Sequence, residues 1–208
     1  MAYHHGRLRE ALLERAADVI AERGVEALSL RALARDLGVS HAAPAAHFRD
    51  RRALLCELAK EGFQRSVDAM HAGAEAAGAD PVVRYRALGR SYVQFARDNP
   101  SYFRAANHPE VLAHADKELR AARAAWVATL RKGVEEARAS GWHPEVDVET
   151  LLAFSCAAAI GTAQLLIDSA WGFDVDDVDA LADSVLDLVV HRSRTSVVPN
   201  SRDERKVS

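Results

Sequence analysis

Residues 29–48, SLRALARDLGVSHAAPAAHF, hold two short segments hinged at Gly38-Val39-Ser40, and no other stretch constrains the fold as tightly. Leu30, Leu33, Ala34 and Leu37 recur at i, i+3, i+4 and i+7, the apolar face of one helix, with Ser29 placed to cap its start. Gly38 falls one residue past that face, where a left-handed backbone ends a helix cheaply, and Val39 plugs the corner. Ser40 is placed to cap a second helix running to Phe48, with Pro44 at its fourth position. Two helices meeting at such a corner predict a helix-turn-helix, which presents the start of its second helix to a DNA major groove.

The rest of the chain keeps a helical period, and nothing shows the alternation of a half-buried strand, so an all-α fold of about nine helices is expected. Leu8, Leu12, Ala16, Val19 and Ile20 stripe a first helix that Gly24 ends. Asp50 can cap a long helix through Leu54, Leu58, Phe63 and Met70. Pro81 starts another and Pro100 marks its end; a short helix around 101–107, a long one from about Val111 to Ala139, and two at 148–169 and 175–191 follow. The expected organisation is a DNA-binding unit over 1–50, with the start of its connecting helix reaching to about 65, and a larger helical unit over 51–191. The polar tail 192–208 lacks a stripe and reads as disordered.

Charge is uneven along the 208 residues. Residues 1–65 carry eleven Lys and Arg against nine Asp and Glu, a net of +2, while the remainder carries sixteen against twenty-one, a net of −5. A mildly basic head on an acidic body suits a DNA reader joined to a unit that does not touch DNA. No run of eighteen apolar residues occurs, and Glu10, Glu14 and Asp18 interrupt the start, so neither a membrane partner nor a signal peptide is expected and the chain reads as cytoplasmic. Cys56 and Cys156 lie in apolar helical patterns and read as small buried hydrophobes. Cys156 has no histidine at i±3 or i±4, and His108 and His114 stand six apart without a second ligand pair. Neither a nucleophile–base pair nor a metal site forms locally, so no enzyme activity, metal or cofactor is expected.

The Leu8-to-Ile20 helix, the Gly24 break, the LSLRALARDLGVS block, the His47-Phe48 pair and Arg51 followed by Leu54-Leu55 together resemble the TetR family of bacterial transcription regulators. The opening Tyr3-His4-His5-Gly6 is similar to the subgroup whose C-terminal domain is called WHG. The resemblance implies an all-α homodimer with an N-terminal three-helix DNA-binding domain and a larger domain that binds a small effector and dimerises. It also implies repression of transcription from a palindromic operator. Where the family has an aromatic just before His47, Ala45 and Ala46 stand here, and the Trp and His that name the subgroup align with Cys156 and Ile160, leaving Gly161.

Candidate DNA contacts follow. Ser29 and Ser40 lie at helix starts, where free N–H groups favour phosphate. Arg51 occupies the place of the family's phosphate-binding cation, and Arg31 and Arg49 can add contacts. Base reading falls to His41, Ala42, Ala43 and His47, which have little bidentate capacity, so specificity leans on shape and on an N-terminal arm of Tyr3, His4 and Arg7. Candidates for an effector pocket are Phe63, Met70, Tyr92, Phe95, Phe103, Trp126, Cys156 and Gln164. Without a Lys/Arg cluster in these stretches, an apolar or weakly polar effector is expected. Ala157, Gly161 and Leu165 on one helix and Val178, Leu181, Val185 and Leu188 on the last form the expected dimer face, since small residues let helices approach closely.

Overall fold

Helix boundaries fall where acidic caps, prolines and glycines place them. A computed structural model describes residues 7–168 and 178–190. Among these it contains α1 (Leu8–Arg23), α2 (Leu30–Asp36), α3 (Arg51–Ala76), α4 (Pro81–Asp98), α5 (Pro100–Ala106), α6 (Pro109–Ala113), α7 (Lys117–Ala139), α8 (Val148–Ile167) and α9 (Val178–Val190), and no strand. The Asp50 carboxylate accepts from the Ala53 N–H at 2.7 Å and opens α3 as expected. Asp80, Asp116 and Asp147 do the same for α4, α7 and α8. The Asp116 cap explains one departure: the long helix expected from Val111 to Ala139 is two helices, because Pro109 starts α6 and Asp116 starts α7 after a break at 114–116.

Two hydrophobic cores result, and α3 runs through both. The first gathers Leu12, Ile20, Leu33, Phe48, Leu54, Leu55 and Leu58 from α1 to α3. It also takes Ala105, Ala106, Val111 and Leu119, so α5, α6 and the start of α7 complete the core of the N-terminal unit although they lie far along the chain. The second gathers Met70, Tyr85, Tyr92, Phe103, Trp126, Trp142, Leu152 and Ala159 from α3 to α8, and Phe63 packs against both. α4 and α7 cross closely because Gly133 lacks a side chain: a Cβ there would lie 2.6 Å from Leu88 and 2.9 Å from the Tyr85 ring.

α8 passes the length and hydropathy test for a membrane span, with a mean hydropathy of 1.8. One side of it nevertheless buries Leu151, Leu152, Ser155, Ala159, Thr162 and Ala163 against α4, α7 and α9, the arrangement of a core helix with one uncovered side.

Candidate functional site

The corner after α2 forms as the sequence dictates. Gly38 takes φ 66°, its N–H bonds the Arg35 carbonyl at 3.1 Å, and the Val39 N–H reaches the Ala34 carbonyl at 2.9 Å. These two bonds make a Schellman motif that satisfies carbonyls the helix end would leave open, with Val39 packed on the first core. The second segment departs from expectation. It is a 3-10 turn over Ala43–Ala46, where Ala43 bonds the Ser40 carbonyl, Ala45 that of Ala42, and His47 that of Pro44. Pro44 has no N–H, and its ring cannot sit beside a carbonyl four residues back, so tighter geometry replaces the predicted α-helix. Burial of the Pro44 ring then anchors the turn to the core.

Consequently the caps differ from those expected. Ser29 stands at the N-cap of α2 but its hydroxyl makes no capping bond, and no helix starts at Ser40. His41, Ala42, Ser29, Ser40, Arg31 and Arg7 are exposed, and Ala43 and His47 are half-buried, so the residues proposed to read bases stand at the surface of one segment. Tyr3 and His4 lie outside the described residues.

The cations divide into two sets. Arg51 points into the protein: it donates to Glu110 of α6 at 2.9 Å and to the Val25 carbonyl at 3.0 Å, and approaches Glu26 at 3.5 Å. Arg9, Arg49 and Arg52 instead line a cleft of about 400 Å³ beside the turn, with His47, Cys56 and Glu57. Arg9 lies 5.5 Å over the Phe48 ring and pairs with Glu57. Asp50, the cap of α3, has its carboxyl held below the ordinary range, chiefly by the Ala53 N–H and further by Arg49.

Of the candidate pocket residues, the fold brings four together. Tyr92 lies 5.3 Å from Trp126 and 6.4 Å from Phe103, and Phe63 lies 6.2 Å from Trp126, ring centre to ring centre. Met70 is fully buried in the same core and Cys156 packs on its edge. Burial pushes the Tyr92 hydroxyl and the Cys156 and Cys56 thiols above their ordinary pKa values, so all three stay neutral near pH 7. Trp126 is 6 % exposed, and its Nε1–H has no acceptor among the described residues. Phe95 is half-buried on α4, and Gln164 bonds Asp168 within the end of α8. An open groove of about 450 Å³ runs alongside, lined by His71, Arg84, Tyr85, Thr129, Lys132 and Gly133, none of which the sequence singled out.

α5 connects these parts. Phe103 enters the aromatic cluster, Ala105 and Ala106 enter the first core, and Arg104 between them donates to the Ile20 and Ala21 carbonyls at the end of α1, at 3.2 and 3.4 Å. Arg104 also lies 3.6 Å from Asp168 at the end of α8. No local signal marks Arg104, Arg9 or Arg52, because their partners are distant in sequence or their neighbours ordinary.

On the far side, α8 exposes Ala153, Phe154, Ala157 and Gly161, and α9 exposes Leu188. Phe154 is 57 % and Leu188 75 % accessible. Leu165, Leu181 and Val185 flank them half-buried; the side chain of Val178 lies outside the described residues.

Comparison with known proteins agrees with this geometry. The family model described as "Bacterial regulatory proteins, tetR family" matches residues 12–58. That described as "Tetracyclin repressor-like, C-terminal domain" matches residues 85–189. A solved structure of a protein of unknown function from Rhodococcus sp. RHA1 is 35 % identical, with a TM-score of 0.75 over 91 % of this chain and 96 % of that one. The TetR family regulator PfmR of Thermus thermophilus shares the fold at 23 % identity, with a TM-score of 0.69 over 86 % and 96 %. YobS of Bacillus subtilis, described as an uncharacterized HTH-type transcriptional regulator, is 29 % identical over 101 residues. That match covers 49 % of this chain and 52 % of YobS, so the chain spans about half the length of this curated relative. With one family model on the helix-turn-helix and a second on half of the chain, the protein belongs to the TetR family of bacterial transcription regulators.

Proposed function

We propose that this chain is a ligand-responsive transcription regulator that represses from a palindromic operator, binds it as a homodimer in the cytoplasm, and releases it when a small apolar or weakly polar effector binds. The observation that carries the reading is the placement of α5, with Phe103 in the aromatic cluster and Arg104 on the last carbonyls of α1. An effector that enters between Tyr92, Phe103 and Trp126 displaces α5, and α1 of the DNA reader follows. Among the described residues no charged side chain is buried, which supports an uncharged ligand body. The uncovered apolar side of α8 and α9 supports pairing with a second copy, which sets two reading segments roughly 34–36 Å apart, or a multiple of it, as a palindrome requires.

The test is an electrophoretic shift on DNA from upstream of the protein's own gene, read across salt concentrations. Salt-sensitive, sequence-dependent binding is expected. The 3-10 turn in place of a recognition helix favours one other reading, a helical ligand-binding protein whose DNA reader has decayed. Absence of binding to every duplex at low salt would establish that reading instead. Coupling is reciprocal, so DNA must weaken the affinity of any effector that releases it; equal affinities with and without DNA would exclude a shared conformational equilibrium.

A further inference from the structure

We infer that the backbone phosphates of duplex DNA are held by Arg9, Arg49 and Arg52 in the cleft beside the 3-10 turn, and that Arg51 is a strut within the protein and not a phosphate ligand. The inference rests on the DNA-binding reading above and specifies the residues that serve it.

Arg51 has already committed its fork of donors inside the protein. One terminal nitrogen bonds Glu110 at 2.9 Å and the other bonds the Val25 carbonyl at 3.0 Å. Turning it toward DNA would break both bonds at once, leaving the Val25 carbonyl with the Leu28 N–H alone and Glu110 without its cation. The neighbouring arginines are differently placed. Arg49 uses only Nε, on Asp50 at 3.2 Å, and Arg52 comes no nearer than 3.8 Å to the same Asp50 oxygen. The other oxygen of Asp50 is taken by the Ala53 N–H. One carboxylate therefore faces two guanidinium groups, leaving positive charge and several N–H donors at the rim, which suits the tetrahedral oxygens of a phosphodiester.

Arg9 closes the cleft from α1. Its guanidinium carbon lies 5.5 Å over the Phe48 ring, and its partner Glu57 also takes Lys60 at 2.7 Å, a lysine that in turn bonds Glu118 at 2.8 Å. Asp116, the remaining acidic lining residue, is engaged as the cap of α7. The cleft also abuts His47 at the end of the turn that carries His41 and Ala42. A duplex that meets those two residues brings its sugar–phosphate edge across the cleft, so DNA is the occupant to which the site commits.

Non-specific binding of the full-length chain to a short fluorescent random-sequence duplex, followed by anisotropy from about 50 to 200 mM KCl, tests this without knowledge of the operator. Arg49→Ala and Arg52→Ala should each lower the log–log salt slope by about 0.9, the signature of one lost phosphate contact, and Arg51→Met should leave it unchanged. A lowered slope in Arg51→Met with Arg52→Ala at the wild-type value overturns the inference. Because Arg51→Met loosens an internal contact and can fail to fold, Arg52→Glu at the surface decides independently: an unchanged slope there overturns the inference on its own. Should the wild-type chain fail to bind the duplex even at about 50 mM KCl, the DNA-binding reading falls first and this one with it.

Discussion

The core under the DNA reader is mainly aliphatic, with Leu12, Ile20, Leu33, Leu54, Leu55 and Leu58 wholly buried and Phe48 its one buried aromatic, whereas the core behind it is built around Tyr85, Tyr92, Phe103, Trp126 and Trp142. Aliphatic side chains fill space without polar atoms and bring no donor or acceptor that needs a partner. Each tyrosine and tryptophan brings a donor that needs a partner. Trp142 Nε1–H finds the Val190 carbonyl at 3.0 Å, and burial pushes the Tyr85 hydroxyl up to about 12. Trp126 Nε1–H finds none among the described residues. A buried donor without an acceptor costs about 1–3 kcal/mol, and a ligand that supplies the acceptor recovers it. The contrast teaches that the reader and the core proposed to accept a guest are filled with different side chains.

The strongest test of this division concerns the face outside both cores. Leu181→Glu together with Leu188→Glu places unpaired charges where a second copy is proposed to pack, at about 3–5 kcal/mol for each charge that becomes buried. Sedimentation should show folded monomers; an unchanged dimer would move the interface elsewhere. Next in size, Leu55→Ala should destabilise the chain by about 2–5 kcal/mol, because a closed aliphatic core cannot collapse around the cavity. Trp126→Phe should cost less, since it also removes the unpartnered donor. Urea midpoints at constant m value measure both, and equal losses would erase the distinction between the cores.

Arg104→Ala probes the link between them. Loss of its bonds to the Ile20 and Ala21 carbonyls should cost about 1 kcal/mol and speed hydrogen exchange in the last turn of α1, while amides of α7 keep their protection. Uniform acceleration would mean that Arg104 supports the whole fold and not the junction. The smallest effect concerns the reader's own support: Asp50→Ala removes the α3 cap, worth about 1 kcal/mol. The folded Asp50 pKa lies below its unfolded value, so its contribution is present above about pH 4, the ordinary carboxylate range, and is lost as the pH falls through the lowered value. Thermal unfolding of wild type and Asp50→Ala should therefore converge in acid, and a constant gap across pH would rule out this cap as the cause.

Periodicity, caps and breakers gave most of the helical order, because each acts within a few residues of its own position, but missed the break at 114–116 that separates α6 from α7. Gly38 after Leu37, Asp50 before α3 and Pro81 at the start of α4 formed as their chemistry dictates. Pro44 shows the limit of that reasoning. Its conflict with a second helix was visible, but only the buried seat of its ring set the 3-10 turn as the outcome. Four of the eight pocket candidates share one cluster because Phe63 of α3, Tyr92 of α4, Phe103 of α5 and Trp126 of α7 all face inward, whereas nothing local left the 450 Å³ groove beside the cluster.

What the sequence determined by itself was the all-α class, most helix boundaries and the family resemblance, since these rest on short-range backbone preference and on motifs read residue by residue. Tertiary structure alone decided which cation does what. Arg51 and Arg52 are adjacent, carry the same charge and begin the same helix, yet a rotation of about 100° per residue turns one toward Glu110 and Val25 and the other toward the cleft. The same holds for α5, whose seven residues join two cores through partners more than eighty positions away in the chain. Long-range pairing of this kind depends on where the helices dock, which no local pattern records.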